Sequence, residues 1–241
     1  MSSGLDGWTP HLAELRRRLV VCVLCLAVTS TAAYLAAQPI CRFLVTPLLA
    51  ASPRVSRLVY TNLPEAFLAT LKLSLLVGLA ASFPVLLFQA WRFIAPALHG
   101  EEKRATGTVV IAGTLLFAAG MVFSRFAVLP VLLDFFLGYG RERLAPLPRF
   151  GDYLTFVART ALGFGLAFEI PFLMVMVARS GAISPQYFHE NRWMLYGVLG
   201  GLALLLSAGD FLAAAMLAIP LAGLYECGIV AGRLFVRRAS V

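Results

Sequence analysis

Apolar residues in this chain neither alternate nor keep to one stripe; they come in long runs, the third of them interrupted by Arg125. The first covers Leu19 to Ala37, the second Ala66 to Phe88, the third Ala105 to Leu133 and the fourth Tyr153 to Ala178. A helix needs about 20 apolar residues to cross a hydrocarbon core roughly 30 Å thick, so each run reads as a membrane span. Two shorter runs follow. Trp193 to Leu206 supplies only about 21 Å of helix at 1.5 Å per residue, and the last span is placed at 211–231, with Glu226 inside it. A pair that short stands upright, snorkels its ends, thins the bilayer or reaches only part-way across. Between the first two spans, Pro39, Pro47, Pro53 and Pro64 punctuate the chain. Ile40, Phe43 and Leu44 recur there at helical spacing, which predicts a short helix lying along the membrane surface.

Composition turns this pattern into a class. Of 241 residues, 60% are hydrophobic and 13% charged, whereas soluble domains carry about a quarter charged residues. The expectation is an all-α integral membrane protein: one polytopic domain over 1–241, six transmembrane helices, the last two short. The net charge of +8 does not indicate a nucleic-acid binder, because the cations are spread between the apolar runs rather than massed on one face. With six crossings, one side holds Arg16, Arg17, Arg18, Arg92, Lys103, Arg104, Arg179, Arg192, Arg233, Arg237 and Arg238. The other holds Arg42, Arg54, Arg57, Arg141, Arg143 and Arg149. The positive-inside bias then places both termini in the cytoplasm. Arg16 to Arg18 before an apolar run could mark a cleaved signal, but Tyr34 and Leu35 are too bulky for a cleavage site, and an uncleaved anchor is expected.

Candidate chemistry is sparse. Cys22, Cys25, Cys41 and Cys227 read mostly as small core residues. His11, His99 and His189 match no metal-site spacing, and no phosphate loop, zinc motif or nucleophile elbow occurs. No metal, cofactor or catalytic residue is expected. The acids are more informative. Glu14 lies just before the first span and Glu102 just after the second, so both fall on the cytoplasmic side as candidate receptors for a paired cation. Each has an ordinary alternative. Glu14 and Arg18 are spaced for an ion pair on one helix face, and Glu101 and Glu102 suit a helix start. Glu169 lies about 15 Å along the fourth helix from Arg179, where an ionised, unpaired carboxyl is costly. It should face other helices or a water-filled groove, or be protonated. Lys72 and Arg159, also inside spans, are expected to snorkel toward the outer face.

Five motifs in order carry a family resemblance over roughly residues 8 to 235. They are His11-Leu12-Ala13-Glu14-Leu15-Arg16-Arg17-Arg18, then Phe88 to Leu98, then Glu101 to Arg104. Phe164-Gly165-Leu166-Ala167-Phe168-Glu169-Ile170-Pro171 follows in the fourth span, and Ala218-Ile219-Pro220 with Tyr225-Glu226 in the sixth. The chain resembles the TatC family, the multispanning core component of the twin-arginine protein translocase. One departure stands out: the family commonly has two prolines before Asp210, where this chain has Ala208-Gly209.

The resemblance implies a function in the bacterial inner membrane. The family binds twin-arginine signal peptides of folded precursor proteins and assembles with the single-span proteins TatA and TatB. It exports its cargo using the proton-motive force and is expected to form a homo-oligomer in the receptor complex. Carried onto this chain, Glu14 and Glu102 would grip the two signal-peptide arginines, with Arg16, Arg18 and Phe93 in the same site. Glu169 becomes an intramembrane polar or partner site, and Pro47, Asp210 and Glu226 structural or assembly positions. An arginine doublet suits paired carboxylates, because a guanidinium forks onto a carboxylate as an ammonium cannot. The competing reading is a proton-coupled small-solute transporter, suggested by Glu169, against which stands the lack of an internal repeat. An intramembrane protease is disfavoured because all three histidines lie outside the spans.

Overall fold

The structure is a computed structural model that describes residues 9–51, 58–94, 106–138, 147–179, 183–207 and 210–237. Among these the chain is helical, with one isolated bridge between Val59 and Arg149 and no strand. Helix α1 covers Thr9–Leu35, with Pro10 in its first turn, where a missing N–H costs nothing. The helix expected from the spacing of Ile40, Phe43 and Leu44 is α2, Ala37–Ala51. Pro47 lies inside it rather than at a break. Helix α3 is Glu65–Ile94, and α4 runs over Thr106–Gly138. Helix α5 is Phe150–Arg179, and a short α6, Pro185–Glu190, is N-capped by Ser184. Helix α7 is Arg192–Leu206 and α8 is Phe211–Arg237. Five of these, α1, α3, α4, α5 and α8, are long and apolar enough to cross a membrane. Of the last pair, both expected to be short, only α7 is: with 15 residues it reaches about 22 Å, whereas α8 has 27 residues and runs on past Glu226, whose carboxylate is met by the Tyr196 hydroxyl.

Membrane helices gain little from hiding apolar surface from equally apolar lipid, so close backbone approach and interhelical hydrogen bonds decide which helices pair. Thr29 donates its hydroxyl to the Gly78 carbonyl at 2.9 Å, fixing α1 against α3. A side chain at Gly78 would strike the Ser30 backbone. Gly120 and Gly165 do the same for α4 and α5: a Cβ on Gly120 would fall on the Phe164 carbonyl, and one on Gly165 would meet the Phe117 ring at 2.7 Å. Much of α1 and one side of α3 expose large apolar side chains such as Leu24, Val28, Leu71 and Leu75, as lipid-facing surfaces do.

Two larger buried clusters hold most of the rest. One joins Phe164, Ala167 and Met174 of α5 to Leu199 and Ala203 of α7 and Leu217 and Leu221 of α8. The other gathers Leu48 of α2, Leu73 of α3, Leu129 and Leu133 of α4, and Tyr153 and Leu154 of α5. Tyr153 donates its hydroxyl to the Leu44 carbonyl at 2.9 Å, pinning α2 across this second cluster. The interruption at Arg125 in the third run is a π-helical turn, Ser124–Val128, inside α4. Such a turn widens the helix locally. Here the Arg125 guanidinium lies 5.2 Å from the Phe43 ring of α2 and 5.4 Å from the Phe126 ring. The cysteines depart from expectation: Cys227 is exposed, and Cys22, Cys25 and Cys41 are only half-buried, all as free thiols. A thiol is apolar enough to line a lipid-facing helix, so a long apolar run alone does not place it inside.

Candidate functional site

Near the start of α1 and the end of α3 the polar residues converge. Helical geometry puts residues three and four apart on one face, so Glu14, Arg17 and Arg18 share a side of α1 while Arg16 points away and is exposed. Glu14 and Arg18 form the i, i+4 ion pair, with a hydrogen bond from Arg18 Nε to Glu14 Oε1 at 3.1 Å. Arg18 also donates to Gln89 Oε1 of α3 at 3.4 Å. Together with Val21 and Arg92, these residues line a cavity of about 340 Å³. Arg18 is largely covered, at 16% side-chain exposure, whereas Glu14 stays accessible at 42%. Phe93, half-buried, sits one turn beyond Gln89 on the same face of α3.

The cavity holds one carboxylate against three guanidinium groups from Arg17, Arg18 and Arg92. Glu101 and Glu102 lie outside the described residues, on the segment joining α3 to α4. Helices α3 and α4 meet at this end of the bundle, where Trp91 of α3 is buried with Val109 of α4 against Phe172 and Met176 of α5. Sequence reasoning named Glu14, Arg18 and Phe93 here but missed Arg17, Gln89 and Arg92 as cavity residues. The i, i+3 spacing of Arg17 from Glu14 was a usable signal. The Gln89 contact depends on how α1 crosses α3.

Glu169 is 5% exposed on the inward face of α5. Gly113 of α4 leaves it room: a Cβ there would come within 3.1 Å of Glu169 Oε2 and collide with Leu87 of α3. Neither carboxyl oxygen has a hydrogen-bond partner among the described residues. The buried Trp91 Nε1–H likewise has no partner among the described residues. Asp210 N-caps α8, accepting from the Ala213 amide at 2.9 Å. Glu226 of α8 accepts a hydrogen bond from the Tyr196 hydroxyl of α7, and Tyr225 donates to the Phe188 carbonyl of α6 at 2.6 Å. Ala208-Gly209 lies outside the described residues. Lys72 and Arg159 border one cavity at the far end of the bundle from Glu14.

Long apolar helices, a bundle held by small-residue contacts and a charged cluster at one end define a multi-pass helical membrane protein. Residues 10–220 match the family described as "Sec-independent protein translocase protein (TatC)". The chain is 36% identical over 231 residues to the TatC of Desulforapulum autotrophicum, covering 96% of this chain and 86% of that protein. It is 35% identical to the TatC of Aquifex aeolicus, covering 95% and 96%, and 33% identical to that of Escherichia coli K12, covering 94% and 88%. A crystal structure of the twin-arginine translocase receptor TatC superposes with a TM-score of 0.86 at 34% identity, covering 93% of this chain and 99% of that one. The chain belongs to the TatC family, and is a membrane component of a protein translocase rather than an enzyme.

Proposed function

We propose that this protein is the receptor for twin-arginine signal peptides and the assembly core of its translocase. The observation that carries this reading is the placement of Glu14. It is accessible at the mouth of a cavity between α1 and α3, beside the end of α3 from which the chain runs on to Glu102. Two carboxylates at a fixed separation select two adjacent guanidinium groups, each held by parallel charge-assisted hydrogen bonds. Glu14 is already engaged by Arg18, so binding is an exchange. The incoming arginine replaces Arg18 on Glu14, and Arg18 keeps its second acceptor, Gln89. Because the described lining carries more positive than negative charge, the second carboxylate is essential, and Glu102 supplies it. Phe93, one turn further along α3, packs against the peptide.

The same reading takes the chain as a single six-span domain, with α7 as the short fifth span. It lies in the bacterial inner membrane with both termini cytoplasmic, as the distribution of lysine and arginine supports. The partners are TatA, TatB and further copies of this chain, and the proton-motive force drives transport. Glu169, buried without a hydrogen-bond donor among the described residues, receives a polar side chain from a partner helix. Asp210 and Glu226 hold the α7–α8 hairpin in shape. The solute-transporter alternative rested on Glu169 alone, and membership of a translocase family removes its ground. Photo-crosslinking tests the assignment. With a photoreactive residue at position 93 or 102, a twin-arginine precursor is captured and its twin-lysine version is not. Equal capture of both, or capture only from Tyr60 at the opposite end, refutes it.

A further inference from the structure

At the end of the bundle away from Glu14, a cavity of about 530 Å³ opens between α3 and α5. Its charges do not balance. Glu65 accepts from the Thr61 amide at 2.8 Å and hydroxyl at 3.0 Å, and pairs with Arg149 at 3.4 Å. Asp152 also pairs with Arg149, at 3.7 Å. Both acids on the cavity wall are thus taken by one arginine. Lys72 and Arg159 border the same cavity and pair with no acid among the described residues. Lys72 is seven residues into α3 and Arg159 nine residues into α5, so they sit about 10 and 13 Å below the helix starts.

Both side chains are exposed on the cavity wall, and two cations with no acid partner among the described residues attract an anion. The space beside them exists because α7 is short. It ends at Leu206, which lies against Gly163, about 20 Å from the start of α5. Leu206 and Phe156 give the cavity an apolar wall. Lys72 also borders a second groove of about 450 Å³ between α1 and α3, lined mainly by apolar groups such as Tyr34, Phe67 and Leu71. A cationic site whose Lys72 also edges an apolar groove fits an amphiphile rather than a free ion. Where a helical hairpin stops short, the bilayer thins and its headgroups come down to meet it.

We infer that this cavity binds the headgroup phosphate of an anionic phospholipid, clamped between Lys72 and Arg159, with an acyl chain along the α1–α3 groove. Native mass spectrometry of the full chain in detergent tests this by titration with dioleoylphosphatidylglycerol or dioleoylphosphatidylcholine. The parent binds phosphatidylglycerol about tenfold more tightly. In K72Q/R159Q the preference falls to about parity, and K72R/R159K restores it. R233Q, which removes an exposed charge at the other end, keeps it. If the double variant does not fold, K72Q and R159Q each show a partial loss. Equal binding of the two lipids by the parent, or an unchanged preference in K72Q/R159Q, overturns the inference. So does displacement of phosphatidylglycerol by inorganic phosphate at equal concentration, which would make the site one for a free anion.

Discussion

Glu14 has a neutralising partner before any ligand arrives, and that shapes what its loss should do. Removing the carboxylate takes away an acceptor of charge-assisted bonds, worth roughly 1.5–3 kcal/mol, and leaves Arg18 turned to Gln89. A Glu14→Gln variant should therefore bind a twin-arginine peptide at least about tenfold more weakly, read in a binding titration. Glu102→Gln should weaken the same peptide more than Glu101→Gln; equal losses would remove Glu102 from the site. At the other end of the bundle, Asp210 does a structural job. It accepts from the Ala213 amide, and losing an N-cap costs about 1 kcal/mol. Asp210→Ala should lower thermal stability in detergent while Asp210→Asn keeps most of it; equal stability of the two would show that the cap is idle.

Elements show which features were legible beforehand. Four of the five long apolar helices, and helix α2, could be read because length and local periodicity carry them; the length of α8 could not, because Glu226 reads as an end. The short α6 carries its own signal in Ser184-Pro185, a capping serine followed by a first-turn proline. The π-turn at Ser124–Val128 is harder, since what sets its position includes contacts remote in sequence, such as Arg125 on Phe43. Pro47 shows the limit of punctuation: proline reads as a break, yet α2 accommodates it. The cysteines show another, because an apolar run does not tell its lipid face from its protein face. The tie between α2 and α5 also lies beyond local pattern. Tyr153→Phe deletes the hydroxyl that reaches Leu44 and should cost about 1 kcal/mol. That loss would appear as faster hydrogen exchange in α2 with α1 unchanged; uniform exchange along the chain would discount the tie.

For the whole molecule, the two ends carry opposite problems. One gathers guanidinium groups around a single described carboxylate; the other has two cations with no acid partner among the described residues. Orientation decides which compartment meets which. With both termini cytoplasmic, a cysteine replacing Asp152 reacts with a membrane-impermeant thiol reagent added to intact cells, and one replacing Glu14 reacts only after permeabilisation. The reverse pattern would invert the topology. The family assignment would survive that result, but the receptor reading would not, because its carboxylates would face away from the precursors. The most direct test is a four-way titration of the parent, Glu14→Gln, Glu102→Gln and the double variant with twin-arginine and twin-lysine peptides. Two cooperating carboxylates give the parent a strong arginine preference that each single change reduces and the double change abolishes. A preference that persists in the double variant would mean that the arginine pair is recognised somewhere else.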